Sequence, residues 1–89
     1  MNDDTIEILL ILQEECAEVI QEISKVFRFG LDNRHKDGLL HQEKLEQEVG
    51  DLLCMISLMT SHGLIRPEKV QVALESKQDK LKKWSKIYD

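Results

Sequence analysis

Two short stretches of the sequence place carboxylates at helical spacing beside apolar residues. The stretch "EECAE" contains Glu14, Glu15 and Glu18, and the stretch "EVGD" contains Glu48 and Asp51. Residues three apart share a face of an α-helix, so each stretch predicts a pair of carboxylates on one side of its helix. Carboxylates that converge between packed helices repel each other and lose hydration, and divalent cations remove both costs. Mg²⁺ prefers such oxygen ligands and often completes its shell with waters and substrate phosphates.

The same acids also have a simpler interpretation as solvated surface charges. The rim of a helix face tolerates acidic residues, and Glu14, Glu22 and Glu46 are expected to include such cases. Either pair of carboxylates alone is equally compatible with the two interpretations. Both pairs together, each beside the apolar arc of its helix, favour a metal site.

Size and composition predict one globular domain, residues 1–89. The chain is 42% hydrophobic and 33% charged, which is ordinary for a folded protein. Its net charge of −5 disfavours a nucleic-acid binder, which needs a basic face. No apolar run approaches the roughly twenty residues of a membrane span. Asp3 and Asp4 stand where a signal peptide would be basic, so we expect a cytoplasmic protein with no membrane partner.

The hydrophobic periodicity predicts an all-α protein with three main helices, over about residues 4–29, 40–62 and 67–87. Asp3, Asp4 or Thr5 is expected to cap the first helix. Glycines bound the polar segment that follows, which predicts a loop over residues 30–40 with room for a short extra helical turn. The core positions expected from the spacing are Leu9, Leu12, Cys16, Val19, Ile20, Ile23 and Phe27 in the first helix, Leu45, Val49, Leu52, Leu53, Ile56 and Met59 in the second, and Val70, Leu74, Leu81 and Trp84 in the third.

The two cysteines and the wide apolar arcs bear on compartment and assembly. Cys16 and Cys54 lack a metal-binding or redox spacing, so we expect reduced thiols in or near the core. Three short helices cannot bury three wide apolar arcs within one chain. A second copy would complete a helical bundle, most simply by two-fold symmetry. We therefore expect at least a homodimer, with a tetramer favoured.

The two acidic stretches, in this order, resemble the EExxE…ExxD signature of MazG-like nucleoside triphosphate pyrophosphohydrolases, an all-α superfamily. The surrounding "LQEECAEVIQEISKVFRFG" and "KLEQEVGDLL" are similar to its short, single-domain members, including those carried by phages. The likeness extends over about residues 8–84. It implies hydrolysis of an NTP or dNTP between the α and β phosphates, which releases a monophosphate and pyrophosphate. It also implies a homo-oligomer with sites near subunit interfaces.

The resemblance further implies roles for individual residues. Glu15, Glu18, Glu48 and Asp51 would bind Mg²⁺, for which Mn²⁺ could substitute. Glu14 and Glu15 are the catalytic candidates, and Glu14 would orient or deprotonate the attacking water. The preferred base and the biological role, such as adjustment of the dNTP pool or removal of aberrant nucleotides, are left open.

A triphosphate carries more negative charge than Mg²⁺ alone neutralises, so cationic side chains are expected beside it. Lys25 and Arg28 follow the first acidic stretch, and Lys80 and Lys83 lie on the third helix. These four are the candidate nucleotide-binding residues, although each also suits a solvated position near a helix C terminus. Trp84 could stack on a base, but its spacing favours the core.

Two other functions stay open at this point. One is a non-catalytic helical dimerisation or adaptor domain whose acids are surface charges. The other is a carboxylate-bridged di-iron protein, which needs Glu-x-x-His motifs on its helices. His35, His41 and His62 complete no such motif and are assigned no role.

Overall fold

The fold was determined as a computed structural model that describes residues 1–88. Within that range it contains three α-helices and no β-strand. The predicted all-α class and the three main helices are confirmed, and α3 ends slightly earlier than expected. The helices are α1, Asp3–Phe29, α2, His41–Ser61, and α3, Pro67–Trp84.

The start of α1 is set by a side-chain cap. The side-chain oxygen of Asn2 accepts a hydrogen bond from the backbone N–H of Thr5 at 2.8 Å. Asn2 is therefore the N-cap, and the expected cap at Asp3, Asp4 or Thr5 is wrong. Asp3 and Asp4 instead occupy the first turn, where the helix dipole stabilises negative charge.

Residues 30–40 form an ordered loop, which we call the interhelical loop. It contains turns and one isolated antiparallel bridge between Arg34 and Leu40, and no helical turn lies in it. The expected option of a short extra helical turn is therefore wrong. The backbone N–H of His41 donates to the carbonyl of Asn33 at 3.0 Å. This hydrogen bond pairs backbone groups at the end of the loop without a helical turn.

Helices α1 and α2 pack against each other as an antiparallel hairpin. Their facing positions recur every seven residues, close to two helical turns. Two of these positions on each helix are buried, and the middle one on each is half-buried. The facing residues are Ile8, Glu15 and Glu22 on α1, and His41, Glu48 and Met55 on α2.

Part of the expected apolar face lies outside this hairpin. Phe27 is 87% exposed and Ile20 is 66% exposed on α1, and Leu53 is 59% exposed on α2. Their expected core positions are wrong within one chain, because the apolar arcs are wider than a single helix–helix contact covers. Cys16 and Cys54, also expected in or near the core, are exposed free thiols.

Helix α3 stands apart from the hairpin. None of its residues is buried, and within residues 1–88 it packs along neither α1 nor α2. Trp84, for which a core position was favoured, is 84% exposed. The molecule measures 41 × 38 × 14 Å with a radius of gyration of 16.0 Å, whereas a compact chain of this length has about 12 Å. One copy therefore leaves a whole helix without a packing partner.

The helices were also compared with the requirements of a membrane span. Across the described part of the chain, none of them combines enough length with enough apolar character to cross a bilayer.

Candidate active site

Three carboxylates from two helices meet on the hairpin. Glu15 of α1 and Glu48 and Asp51 of α2 each offer one oxygen atom, and the three oxygens lie within 4.8 Å of one another. Glu15 and Glu48 are half-buried and Asp51 is exposed. The seven-residue repeat brings Glu15 opposite Glu48, and Asp51 follows one turn later on the same face. We call these three residues the acidic cluster.

The electrostatics of the acidic cluster are unfavourable without a counter-charge. Burial raises the pKa of the Glu48 carboxyl, and the negative charges of Asp51, Glu18, Glu15 and Glu22 raise it further. One carboxylate oxygen of Glu15, Oε2, is buried and has no hydrogen-bond partner. Buried polar atoms normally have a partner, so this arrangement favours a positively charged group between the helices.

A further acid, Glu22, extends the buried face beyond the acidic cluster. Its side chain is buried, with Oε1 accepting from Nζ of Lys25 at 3.3 Å and Oε2 unpartnered. Its interpretation as a solvated charge is therefore wrong. The sequence did contain the signal, since Glu22 follows Glu15 by seven residues and shares its face.

A comparison with protein families identifies the chain. The family model described as "MazG nucleotide pyrophosphohydrolase domain" matches residues 4–83. The chain belongs to this family. The resemblance drawn from the two acidic stretches is thereby confirmed, and the match spans all three helices. No curated protein and no solved structure matches the chain.

The remaining acids of the MazG signature lie beside the acidic cluster. Glu18 is exposed and does not share the 4.8 Å arrangement, yet its charge acts on Glu48. Glu14 is exposed on α1 and also lies outside the cluster. The assignment of Glu15, Glu18, Glu48 and Asp51 as metal ligands, and of Glu14 as the group that acts on water, stays a prediction.

The residues of this MazG domain fit a hard divalent cation. Every donor in the acidic cluster is a carboxylate oxygen, the ligand type that Mg²⁺ and Mn²⁺ prefer. A cation placed there would offset the repulsion that, after burial, raises the pKa of Glu48.

The four cationic candidates of the MazG domain fall in two places. Lys25 forms an ion pair with Glu22, which lies on the same face of α1 as Glu15. The Arg28 guanidinium lies over the Phe29 ring, 4.9 Å from its centroid. Lys80 and Lys83 are exposed on α3, which does not pack along the hairpin. Of the four cationic candidates, Lys25 is the one that contacts a buried acid, Glu22, on the inward face of α1.

Proposed function

We propose that this MazG domain is a Mg²⁺-dependent nucleoside triphosphate pyrophosphohydrolase that cleaves between the α and β phosphates. The observation that carries the proposal is the acidic cluster, in which carboxylates of two helices approach within 4.8 Å. Family membership supports the same reaction class. A water molecule would attack the α phosphorus, the bond to the bridging oxygen would break, and pyrophosphate would leave with the monophosphate as the second product.

Glu15, Glu18, Glu48 and Asp51 would hold the cation in this proposal. When bound, Mg²⁺ would neutralise phosphate charge and make a nearby water a better nucleophile; Mn²⁺ could substitute. Glu14 is exposed on the helix that carries Glu15. It is the carboxylate we assign to orient the attacking water and accept its proton.

The cationic residues would assist by binding phosphate oxygens. We assign this role to Lys25 on the hairpin itself, whose Nζ lies 3.3 Å from Oε1 of Glu22. Lys80 and Lys83 are on the unpacked α3, so we propose that they reach a nucleotide across a subunit interface. Arg28 would contribute from the end of α1. An enzyme of this type would act on cytoplasmic nucleotide pools, including dNTPs.

The reaction can be tested with a panel of NTPs and dNTPs, each incubated with Mg²⁺ or with EDTA. The monophosphate and pyrophosphate formed would be quantified for the wild type, Glu48→Gln and Asp51→Asn. Glu46→Gln is the matched control, because Glu46 is an exposed acid of the same helix outside the acidic cluster. We expect metal-dependent monophosphate release that the cluster variants lose and the control keeps.

No turnover on any nucleotide, together with thermal stability that is indifferent to Mg²⁺, would contradict this proposal. That result would favour the second candidate function, a helical dimerisation or adaptor domain. The observation in favour of this alternative is the apolar surface left uncovered in one copy, which includes Phe27 and Trp84 at 87% and 84% exposure.

We also propose that the active form is a homodimer or a dimer of dimers. The support is physical: α3 has no packing partner in the described chain, and large apolar side chains on α1 and α3 face solvent. Burial of such side chains stabilises an assembly. Sedimentation equilibrium should give at least twice the mass of one chain, and a monomer at micromolar concentration would contradict the proposal.

A further inference from the structure

A cavity lined by cationic and aromatic side chains lies at the closed end of the hairpin, away from the acidic cluster. It has a volume of about 400 Å³ and is bounded by the end of α1, the interhelical loop and the start of α2. Along α1, it begins about 15 Å from Glu15, judged from the helical rise. We call it the basic pocket, and its lining residues are Lys25, Phe29, Arg34, His35, Lys36 and His41.

One wall of the basic pocket is a buried histidine with an unpaired ring nitrogen. His41 is only 3% exposed, and its Nδ1 is buried without a hydrogen-bond partner. Its ring stacks on Phe29 at 5.3 Å between centroids and meets the edge of His35 at 5.9 Å. Less than 1 Å² of Nδ1 is accessible, so the His41 ring forms a fixed wall of the pocket and does not supply a ligand contact through this atom. The sequence did carry a signal for His41, which precedes Glu48 by seven residues on the inward face.

The lining of the basic pocket is cationic in a protein whose net charge is −5. Lys36 forms no ion pair with any residue in the range 1–88. Arg34 uses Nη1 to donate to the carbonyl of Gly38 at 2.7 Å, which leaves further guanidinium donors free. Lys25 pairs with Glu22 outside the lining. The pocket thus gathers several cationic side chains into one cavity of a protein whose net charge is negative.

The charged groups around the pocket are hydrogen-bond donors, and much of the remaining lining is apolar. Within the described residues no carboxylate lines it, and Lys and Arg side chains have no acceptor. A nucleobase edge offers donors as well as acceptors, whereas phosphate oxygens mainly accept. Phe29, the aromatic residue that could stack on a base, is already in contact with Arg28 and His41. The lining therefore matches a phosphate better than a base.

The interhelical loop orders the Arg34 and His35 side of the pocket before any ligand arrives. The Asp37 carboxylate lies 3.3 Å from Nδ1 of His35 and 3.2 Å from Nζ of Lys44 on α2. The same carboxylate accepts from the backbone N–H of Leu39 at 3.0 Å. Binding to a preformed site costs less conformational entropy than binding that must order the loop.

We propose that the basic pocket binds a phosphate or pyrophosphate group through Lys36 and Arg34, without a metal ion. The anion is either a phosphate of the nucleotide held at the acidic cluster or a free inorganic anion. Only its assignment to the nucleotide rests on the proposed function. A pocket of 400 Å³ accommodates such a group with its waters, and a nucleic acid is disfavoured by the net negative charge.

The test is calorimetric titration of the full chain with inorganic pyrophosphate in EDTA, followed by ¹⁵N spectra of the loop amides and the His41 ring. Lys36→Gln and Arg34→Gln should each weaken binding by about tenfold, as expected for loss of a charge-assisted hydrogen bond. Lys69→Gln, which makes the same charge change at an exposed site on α3, should bind as the wild type does. Asp51→Asn should also keep pyrophosphate binding while it loses hydrolysis.

Absence of pyrophosphate binding by the wild type would overturn the proposal. An equal loss of pyrophosphate affinity in Lys69→Gln would overturn it as well, because the effect would then come from the change in net charge and not from the pocket. Retained binding in Asp51→Asn separates this proposal from the catalytic one, since either can fail alone. A non-hydrolysable dNTP analogue with Mg²⁺ identifies the source. If Lys36→Gln binds the analogue more weakly than the wild type does, the pocket holds a phosphate of the nucleotide. If Lys36→Gln binds the analogue normally but binds pyrophosphate more weakly, the pocket holds a free anion.

Discussion

A carboxylate oxygen of Glu15 and one of Glu48 lie within 4.8 Å of each other, although the two residues belong to different helices. Each stands on the inward face of its helix, where an apolar residue would stabilise the hairpin. The hairpin therefore carries a repulsive contact at its centre. Its stability should depend on protonation and on cations in ways that a purely apolar contact would not.

Glu48→Gln should stabilise the metal-free protein at neutral pH. The pKa of Glu48 is raised, chiefly by burial, so the folded state holds this proton up to a higher pH than the unfolded state does. The free energy of unfolding then falls as pH rises from the unfolded-state pKa of Glu48 to its folded-state pKa. Above the folded-state pKa, the loss of stability caused by the ionised carboxylate is complete. Thermal melts in EDTA should give the variant a Tm a few degrees higher at pH 7.

The same melts at acidic pH provide the check. Below the ordinary glutamate pKa both states are protonated, so the advantage of Glu48→Gln should vanish. Glu46→Gln, which changes an exposed acid of the same helix, should match the wild type throughout. A Glu48→Gln variant that is less stable than the wild type in EDTA at pH 7 would contradict the repulsion between Glu48 and its neighbouring carboxylates.

Mg²⁺ should raise the Tm of the wild type. A ligand at one hundred times its Kd stabilises the folded state by about 2.7 kcal/mol, which corresponds to a shift of roughly 10 °C or more for a domain of this size. Asp51→Asn should lose most of the shift because it removes one of the three carboxylate charges of the acidic cluster. Differential scanning fluorimetry, with KCl at matched ionic strength as the control, measures both. A shift that KCl reproduces would indicate screening instead of binding.

Asp37→Asn should loosen the interhelical loop. The hydrogen bond from the Leu39 N–H holds the pKa of Asp37 below its usual range. Burial opposes this effect, and Lys44 and His35 lower the pKa further. A lowered carboxyl pKa contributes stability above the ordinary value that is lost as pH falls through the lowered one. The variant should therefore be less stable than the wild type at neutral pH and equal to it in strong acid.

Amide hydrogen exchange of Leu39 is the direct readout for Asp37→Asn, since its N–H donates to that carboxylate. We expect exchange at least several-fold faster, with α1 and α2 unaffected. Asp32→Asn is the control, because Asp32 forms no ion pair within residues 1–88. Equal protection of the Leu39 amide in wild type and Asp37→Asn would contradict the role assigned to this carboxylate.

Two glycine-to-alanine changes should have opposite signs. Gly30 has φ +86° and ψ 158° after α1, a region that side chains enter only at a cost of about 1–3 kcal/mol. Gly50 is helical, and a Cβ there meets no atom within 4 Å, so alanine should stabilise α2 by about 0.5–1 kcal/mol. Urea unfolding of both variants measures the difference, and stabilisation by Gly30→Ala would contradict the backbone argument.

The sequence predicted those features that depend on local spacing. The three helices, their approximate ends and the two pairs of acids all follow from the 3.6-residue period. The contact between Glu15 and Glu48 was foreseeable because both adjoin apolar arcs on helices that must pack. The family signature sharpened the same expectation.

The predictions that were wrong concern which part of a wide apolar arc packs against the neighbouring helix. Phe27 and Glu22 exchange their expected places, since Phe27 is exposed and Glu22 is buried. Composition assigns Phe to the core and Glu to the surface, but the seven-residue register of the hairpin decides otherwise. The basic pocket was not predicted either, because it depends on loop hydrogen bonds that bring His35 and Lys36 beside His41.

The separation of α3 from the hairpin has a consequence for how the chain reaches its final form. The contacts between α1 and α2 join neighbouring elements through one ordered loop, so the hairpin has the short-range topology of fast-folding helical proteins. Within residues 1–88, helix α3 packs along neither of them, and an isolated helix of 18 residues is marginal in water. Its final ordering would then follow association, so the slow phase of refolding would be second-order and would accelerate as the chain is concentrated.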